Sequence, residues 1–200
     1  MIDQLDDGVV DPVAGADLKE PGGPSQPDTR VELAHLANVL GGLAVGVVDV
    51  QAAALQTATG LDLSAVAALT TLLDRPGSTI DALARVLGLT HSGAVRLADR
   101  MAAQGLVVRT AGADRRTAPL RLTGRGEEMA SCALAARQQA LQRLLNPLDT
   151  DHRAQLLELV TAVAGSLVRH REQARRMCRH CEHACCRAAD CPLGSAVDET

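Results

Sequence analysis

Two sets of side chains in this chain have the types and the spacing for chemistry. Five of the six cysteines fall between Cys178 and Cys191, and the sixth, Cys132, stands apart. Cys178 and Cys181 form a C-x2-C pair, a spacing that lets two thiolates grip one metal ion. Cys185 or Cys186, followed by Cys191, completes four ligands, with His180 and His183 as spare nitrogen donors. Thiolates are soft donors that select zinc or an iron–sulfur cluster over hard cations. A closed zinc site is the first reading. An iron–sulfur cluster, or a reversible thiol–disulfide switch tuned by Arg179 and Arg187, is the second. Reduced cysteines on a loose tail are the third.

The other set is cationic. From Arg75 to Arg125 nine arginines stand against three aspartates, Asp81, Asp99 and Asp114, while the whole chain has a formal charge of −4. A basic module inside an acidic protein suits phosphate, because contact with DNA releases condensed counterions. A merely solvated arginine-rich face is the plainer reading of charge alone. Within this stretch Thr90, His91, Ser92 and Gly93 are small or polar, with Arg96 and Arg100 following at helical spacing. An arginine can fork onto the O6 and N7 of guanine, and a helix N-terminus favours phosphate.

The elements that must position these groups follow from local pattern. LDLSAVAALTTLLDRPGS reads as an apolar helix. Thr79 can cap a helix with Leu83, Val86 and Leu87 inward, and Gly88 ends it, since glycine accepts a left-handed exit. Thr90 or Ser92 can cap the next helix, where Val95, Leu97, Ala98 and Met101 supply the buried stripe and Gly105 the stop. Leu106, Val107 and Val108 begin a strand, and Leu120 and Leu122 alternate with Arg121 on the returning one. GADRR makes a basic turn between them. The order predicts a mainly α fold with a small β-hairpin wing, a winged helix-turn-helix. Such a module places one helix in the major groove of double-stranded DNA.

LTHSGAVRLADRMAAQGLVVR followed by DRRTAPLRLTGRG closely resembles the MarR family of bacterial transcription regulators. The resemblance rests on Asp114, Arg116, Leu122, Thr123 and Gly126 in the wing pattern and extends from about Val31 to near Val168. It implies that Asp114 orients Arg116 toward the minor groove with Arg115 beside it on phosphate; by residue type alone Asp114 is a turn former. It also implies a homodimer, a small-molecule effector held between the reading and dimer helices, and repression.

Three segments are expected: an acidic, Pro- and Gly-rich tail at 1–28; the dimerisation and winged-helix domain at 29–172, with its DNA-binding part at 61–126; and the Cys-rich tail at 173–200. A helix from Val31 to about Ala58 is weakened by Gly41, Gly42 and Gly46. Thr123 caps a long helix to about Leu145, and Asn146-Pro147 breaks it. Asp149 or Thr150 caps a last helix with Leu156, Val160, Val163 and Leu167 at i, i+4, i+7 and i+11. These flanking helices carry more apolar surface than the winged part can cover, which favours intertwined packing with a second chain over folding back. A twofold dimer reads two half-sites and so a palindromic operator.

The chain has no Phe, Tyr or Trp, which excludes aromatic base stacking and makes any effector cleft aliphatic. No apolar run is expected to span a membrane, the best candidate being interrupted by Asp49, and a cytoplasmic location is expected. No phosphate loop or zinc-protease helix occurs, so no enzyme is expected. A thiol oxidoreductase built on Cys178 and Cys181 is the enzymatic alternative. A winged-helix interaction module without DNA binding is the third class, against which Arg96, Arg115 and Arg116 argue.

Overall fold

The computed structural model describes residues 29–110, 119–183 and 191–195. Its elements are α1 (Thr29–Thr59), α2 (Leu63–Asp74), α3 (Ile80–Leu87), α4 (His91–Ala103), β1 (Val107–Arg109), β2 (Leu120–Leu122), α5 (Gly124–Leu145), α6 (Thr150–Ser166), α7 (Arg171–Met177) and α8 (Pro192–Ser195). β1 and β2 pair antiparallel, with Val107 opposite Leu122 and Arg109 opposite Leu120. The fold is a winged helix-turn-helix, mainly helical with a two-stranded hairpin.

Side-chain caps start the helices. Asp62, Thr79, Thr90, Thr123 and Asp149 each accept a backbone N–H three residues on, each cap being worth about 1 kcal/mol. Of the alternatives open in the sequence, Thr90 and Asp149 are the caps, while Ser92 and Thr150 lie inside their helices. Gly88 leaves α3 in the left-handed conformation, at φ 67°.

The core is aliphatic. Leu69 and Leu72 of α2, Ile80 and Leu83 of α3, Leu97 and Met101 of α4, and Leu106 and Leu120 at the hairpin are almost fully buried. The stripe on α4 is phased slightly differently from expectation: Ala94 is fully buried and Val95 only partly. Ala94, Ala98 and Met101 fall at i, i+4 and i+7, a closer fit to one helix face.

By its contacts the chain divides into residues Met1–Gly42 and Leu43–Thr200, a boundary that falls within α1. α1 is nevertheless one helix, so the three glycines do not interrupt it. Its continuity corrects one expectation. Over Arg30–Thr59 the helix is long and apolar enough to cross a membrane by length and composition, with a mean hydropathy of 1.7 in its most apolar window. Asp49 is a single charge within an unbroken helix, too little to disqualify it on that test. In the first unit Val31, Leu33, Leu36, Val39 and Leu40 are exposed; in the second, Leu43, Val45 and Val48 are.

α6 is a second open surface: none of its residues is buried, and Leu157, Leu159, Val160 and Val163 are exposed. Of its predicted stripe Leu156 is half-buried, whereas Val160, Val163 and Leu167 stay exposed among the described residues. The division drawn at residues 172 and 173 falls inside α7, which packs against α3.

Candidate nucleic-acid interface

α3 and α4 are held at their turn by Gly88 and by Leu89 N–H, which donates to Ala84 O at 2.9 Å. Thr90 then caps α4: its Oγ1 accepts from Gly93 N at 3.1 Å and lies 3.3 Å from Ser92 Oγ. A Cβ on Gly93 would sit 3.2 Å from that cap oxygen, tighter than most real contacts. The small residue at this position thus serves the cap as well as any close approach to DNA.

The first two turns of α4 present His91, Ser92 and Arg96 to solvent, with Gly93 half-buried. His91 Nδ1 lies 2.6 Å from Asp81 Oδ1 on α3, which orients the ring. Arg96 is exposed and has no ion-pair partner among the described residues. Arg100, one turn on, is engaged: its guanidinium reaches Asp62 Oδ2 at 3.5 Å. Since Asp62 Oδ1 caps α2 through Ala65 N, Arg100 ties α4 to the start of α2. Arg109 at the end of β1 pairs with Asp99 of α4, a link between wing and reading helix that the charge count alone did not show. Asp114, Arg115 and Arg116 lie outside the described residues.

The wing is anchored at its base. Thr123 N–H donates to Leu106 O at 3.0 Å, and Thr123 Oγ1 donates to Gly105 O at 2.7 Å while accepting from Gly126 N. A Cβ at Gly126 would fall 2.1 Å from Leu106 O, a position no side chain can occupy. That close approach explains why a glycine stands in the first turn of α5.

The cysteine segment lies against the same unit. Cys178, Cys181 and Cys191 are of intermediate exposure, and Cys132 is exposed. Cys181 N–H donates to Cys178 O at 2.9 Å, which brings the two residues into one turn. The neighbouring thiol pushes Cys178 up and holds Cys181 down from the ordinary thiol value. Burial, with Arg179 and Arg137 nearby, lowers His180 to about 4, and its Nδ1 is buried without a hydrogen-bond partner among the described residues. His183 Nδ1 stands 3.7 Å from Asp74 Oδ1. Among the described residues no three His, Cys, Asp or Glu side chains are grouped so as to hold a metal ion. Cys185 and Cys186 lie outside the described residues.

α7 joins this segment to the helix-turn-helix. Arg85 Nε of α3 is 3.5 Å from Glu172 Oε1, and the Arg176 guanidinium carbon would lie 3.4 Å from a Cβ on Gly88. Thr70 Oγ1 of α2 donates to Arg179 O at 2.6 Å. A cavity of about 510 Å³ opens between α2, α5 and residues 181–183. Its walls are aliphatic only in part: Leu73 and Leu134 face Thr70, Asp74 and Gln138.

Residues 59–117 match the MarR family model, so the resemblance read from the sequence holds over the reading helices and the start of the wing. No curated protein matches the chain. Solved structures match it at probability 1.00. The YusO protein from Bacillus subtilis has a TM-score of 0.60 at 19% identity, over 68% of this chain and 97% of its own. A MarR family protein from Bacillus stearothermophilus gives 0.59 at 22%, over 69% and 96%. MepR, a transcription regulator of the Staphylococcus aureus multidrug efflux pump MepA, gives 0.54 at 18%, over 67% and 97%. At these identities the likeness is one of fold.

Proposed function

Starting from a MarR-type winged helix, we propose that this chain is a sequence-specific regulator of transcription that binds double-stranded DNA as a homodimer and represses by occluding a palindromic operator. One observation carries the reading: Arg96 stands exposed and, among the described residues, without an ion-pair partner on the first turns of a capped helix, beside His91 and Ser92. Charge supports it, since the nine arginines between Arg75 and Arg125 sit in a chain that is acidic as a whole. On this reading Arg116, oriented by Asp114, reaches the minor groove, and Arg115 meets phosphate. Such a protein works in the cytoplasm, on the chromosome, and not as an enzyme.

The dimer is supported by the open apolar side chains of α1 and α6. α6 has 17 residues, among them Asp151, Arg153 and Glu158, so a bilayer does not suit it, and a second protein surface covers both helices alike. The effector is a small molecule in the cavity between α2 and α5 or a signal at the cysteines. For the cysteines, the C-x2-C spacing of Cys178 and Cys181, closed by the backbone turn between them, favours either a thiol switch or a zinc or iron–sulfur site completed by Cys185 or Cys186 with Cys191. Elemental analysis of anaerobically purified protein separates those two.

The test of DNA binding uses duplexes recovered by selection from a random pool. Arg96→Ala should cost about 1–3 kcal/mol and relax preference at one base position. Equal binding by wild type and variant to every duplex would return the chain to the class of interaction modules.

A further inference from the structure

We infer that α7 is a second DNA-contacting element, whose Arg175 and Arg176 grip backbone phosphates along the border of the groove that α4 enters. This role rests on the DNA-binding reading above and carries the interface beyond the helix-turn-helix and the wing.

Residues 169–179 hold five arginines and one glutamate, in a chain whose formal charge is −4. The helix that carries them has its own start signal. His170 Nδ1 accepts from Gln173 N–H at 3.3 Å, and Gln173 Oε1 accepts from Arg169 N–H at 3.1 Å. That reciprocal cap satisfies two backbone donors at the helix entrance. Ala174 is the buried residue of α7, which packs on α3, while Arg171, Arg175 and Arg176 stay exposed. Glu172 pairs with Arg85 of α3 at 3.5 Å. Arg175 and Arg176 have no ion-pair partner among the described residues.

Placement turns these cations into an interface. Arg176 and His91 line one open hollow of about 380 Å³, along with Gly88 and Leu89. The Arg176 guanidinium carbon would be 3.4 Å from a Cβ on Gly88, so it lies over the turn that leads into α4. In a helix-turn-helix the first helix crosses the DNA backbone while the second enters the major groove with its N-terminal residues. Here those helices are α3 and α4, and α7 lies on the one that crosses the backbone. Arg85 and Glu172 line the Arg176 hollow and also a second one, where Arg175 stands with Arg75 and Ser78 just before α3 begins. The two arginines thus flank both ends of α3.

The chemistry of the surroundings suits a polyanion. The acids in these hollows are engaged, Asp81 by His91 at 2.6 Å and Glu172 by Arg85. Burial, then the like charges of Arg75, Arg171 and Arg85, hold Arg175 below the ordinary guanidinium value, against the opposing pull of Glu172. Such mutual repulsion is relieved when negative charge arrives. The planar fork of arginine matches two phosphate oxygens at once. Contacts with phosphate fix register and orientation but carry no sequence information. α7 therefore adds affinity and a wider footprint, and leaves base preference to α4.

The experiment uses the full chain and a duplex recovered by selection, extended by about one helical turn on each side. R175A combined with R176A should lower the slope of log affinity against log salt by about 1.8 per bound protomer, two contacts at about 0.9 each. Binding in about 0.1 M salt should weaken at least tenfold. Ethylation of phosphates outside the α4 half-site should interfere with wild type and not with that double variant. R175K with R176K should keep most of the slope, and R96A should relax base preference while keeping the flanking interference. R143A removes an exposed arginine on the last turn of α5 and should leave the slope unchanged. A folded double alanine variant that matches wild type in slope and interference overturns the role of α7 and leaves the DNA-binding reading standing. An equal fall in R143A does the same, since it traces the effect to net charge. If the alanine variants do not fold, wild type alone decides: no interference outside the half-site overturns the role. A wild-type chain that binds no selected duplex takes down the DNA-binding reading and the role of α7 together.

Discussion

Gly126 has the least freedom of any residue described. Leu106 O occupies the place where its Cβ would be, and the obstacle is backbone, which cannot swing aside as a long side chain can. Gly126→Ala should destabilise the fold by about 2–4 kcal/mol through overpacking, and thermal unfolding would show it. A loss below about half a kilocalorie per mole would mean that the hairpin base yields. At Gly88 the cause is different: its φ of 67° is left-handed, so Gly88→Ala should cost about 1–2 kcal/mol and be read from denaturant midpoints. Residues of this kind are legible in part. Glycine at a helix exit announces itself by position, as Gly88 did. Gly126 stands in the first turn of a helix, and only the folded path of Leu106 shows why. Likewise Arg96 and Arg100 look equivalent at helical spacing, but Asp62, 38 positions away from Arg100 in the chain, engages one and not the other.

At the scale of elements, the winged-helix part was readable because each helix carries its own start and stop signals in its own residues. Thr79, Thr90 and Thr123 cap, Gly88 and Gly105 terminate, and the strands alternate. α1 was harder. Three glycines lower its propensity, yet propensity is a weak prior over 31 residues, and helix continuity turned a broken apolar stretch into one with membrane-like length. α6 was legible as a helix but not in its surroundings, since periodicity says that a face is apolar without saying what meets it. If a second copy covers that face, Leu157→Asp with Val160→Asp should convert the protein to monomer at micromolar concentration, as sedimentation equilibrium would show. Affinity for a palindromic duplex should then fall at least a hundredfold. A dimer that survives both charges would place the interface elsewhere.

For the whole molecule, the separation of a regulatory tail from a reading domain does not survive the packing of α7 on α3. Residues 173–200 were set apart because five of the six cysteines are concentrated there, and composition does not report docking. Truncation after Leu167 should therefore lower the melting temperature of the remaining protein, by roughly 4–8 °C per kcal/mol lost for a small domain. An unchanged transition would make α7 an ornament. A homodimer also predicts a melting temperature that rises with protein concentration, a dependence that a monomer lacks.

The contact between Gly126 and Leu106 has a further consequence. Because the hairpin meets α5 through the Leu106 backbone at Gly126, with the Leu122 side chain packed close beside it, the joint has little slack. α5 has 22 residues and so is a rod of about 33 Å. Turned by about five degrees at its far end, a rod of that length sweeps close to 3 Å. The wing must follow any such rotation as a pointer follows its shaft. A disturbance too small to break a contact at one end of α5 is thus magnified, at the other, to the size of a hydrogen bond gained or lost.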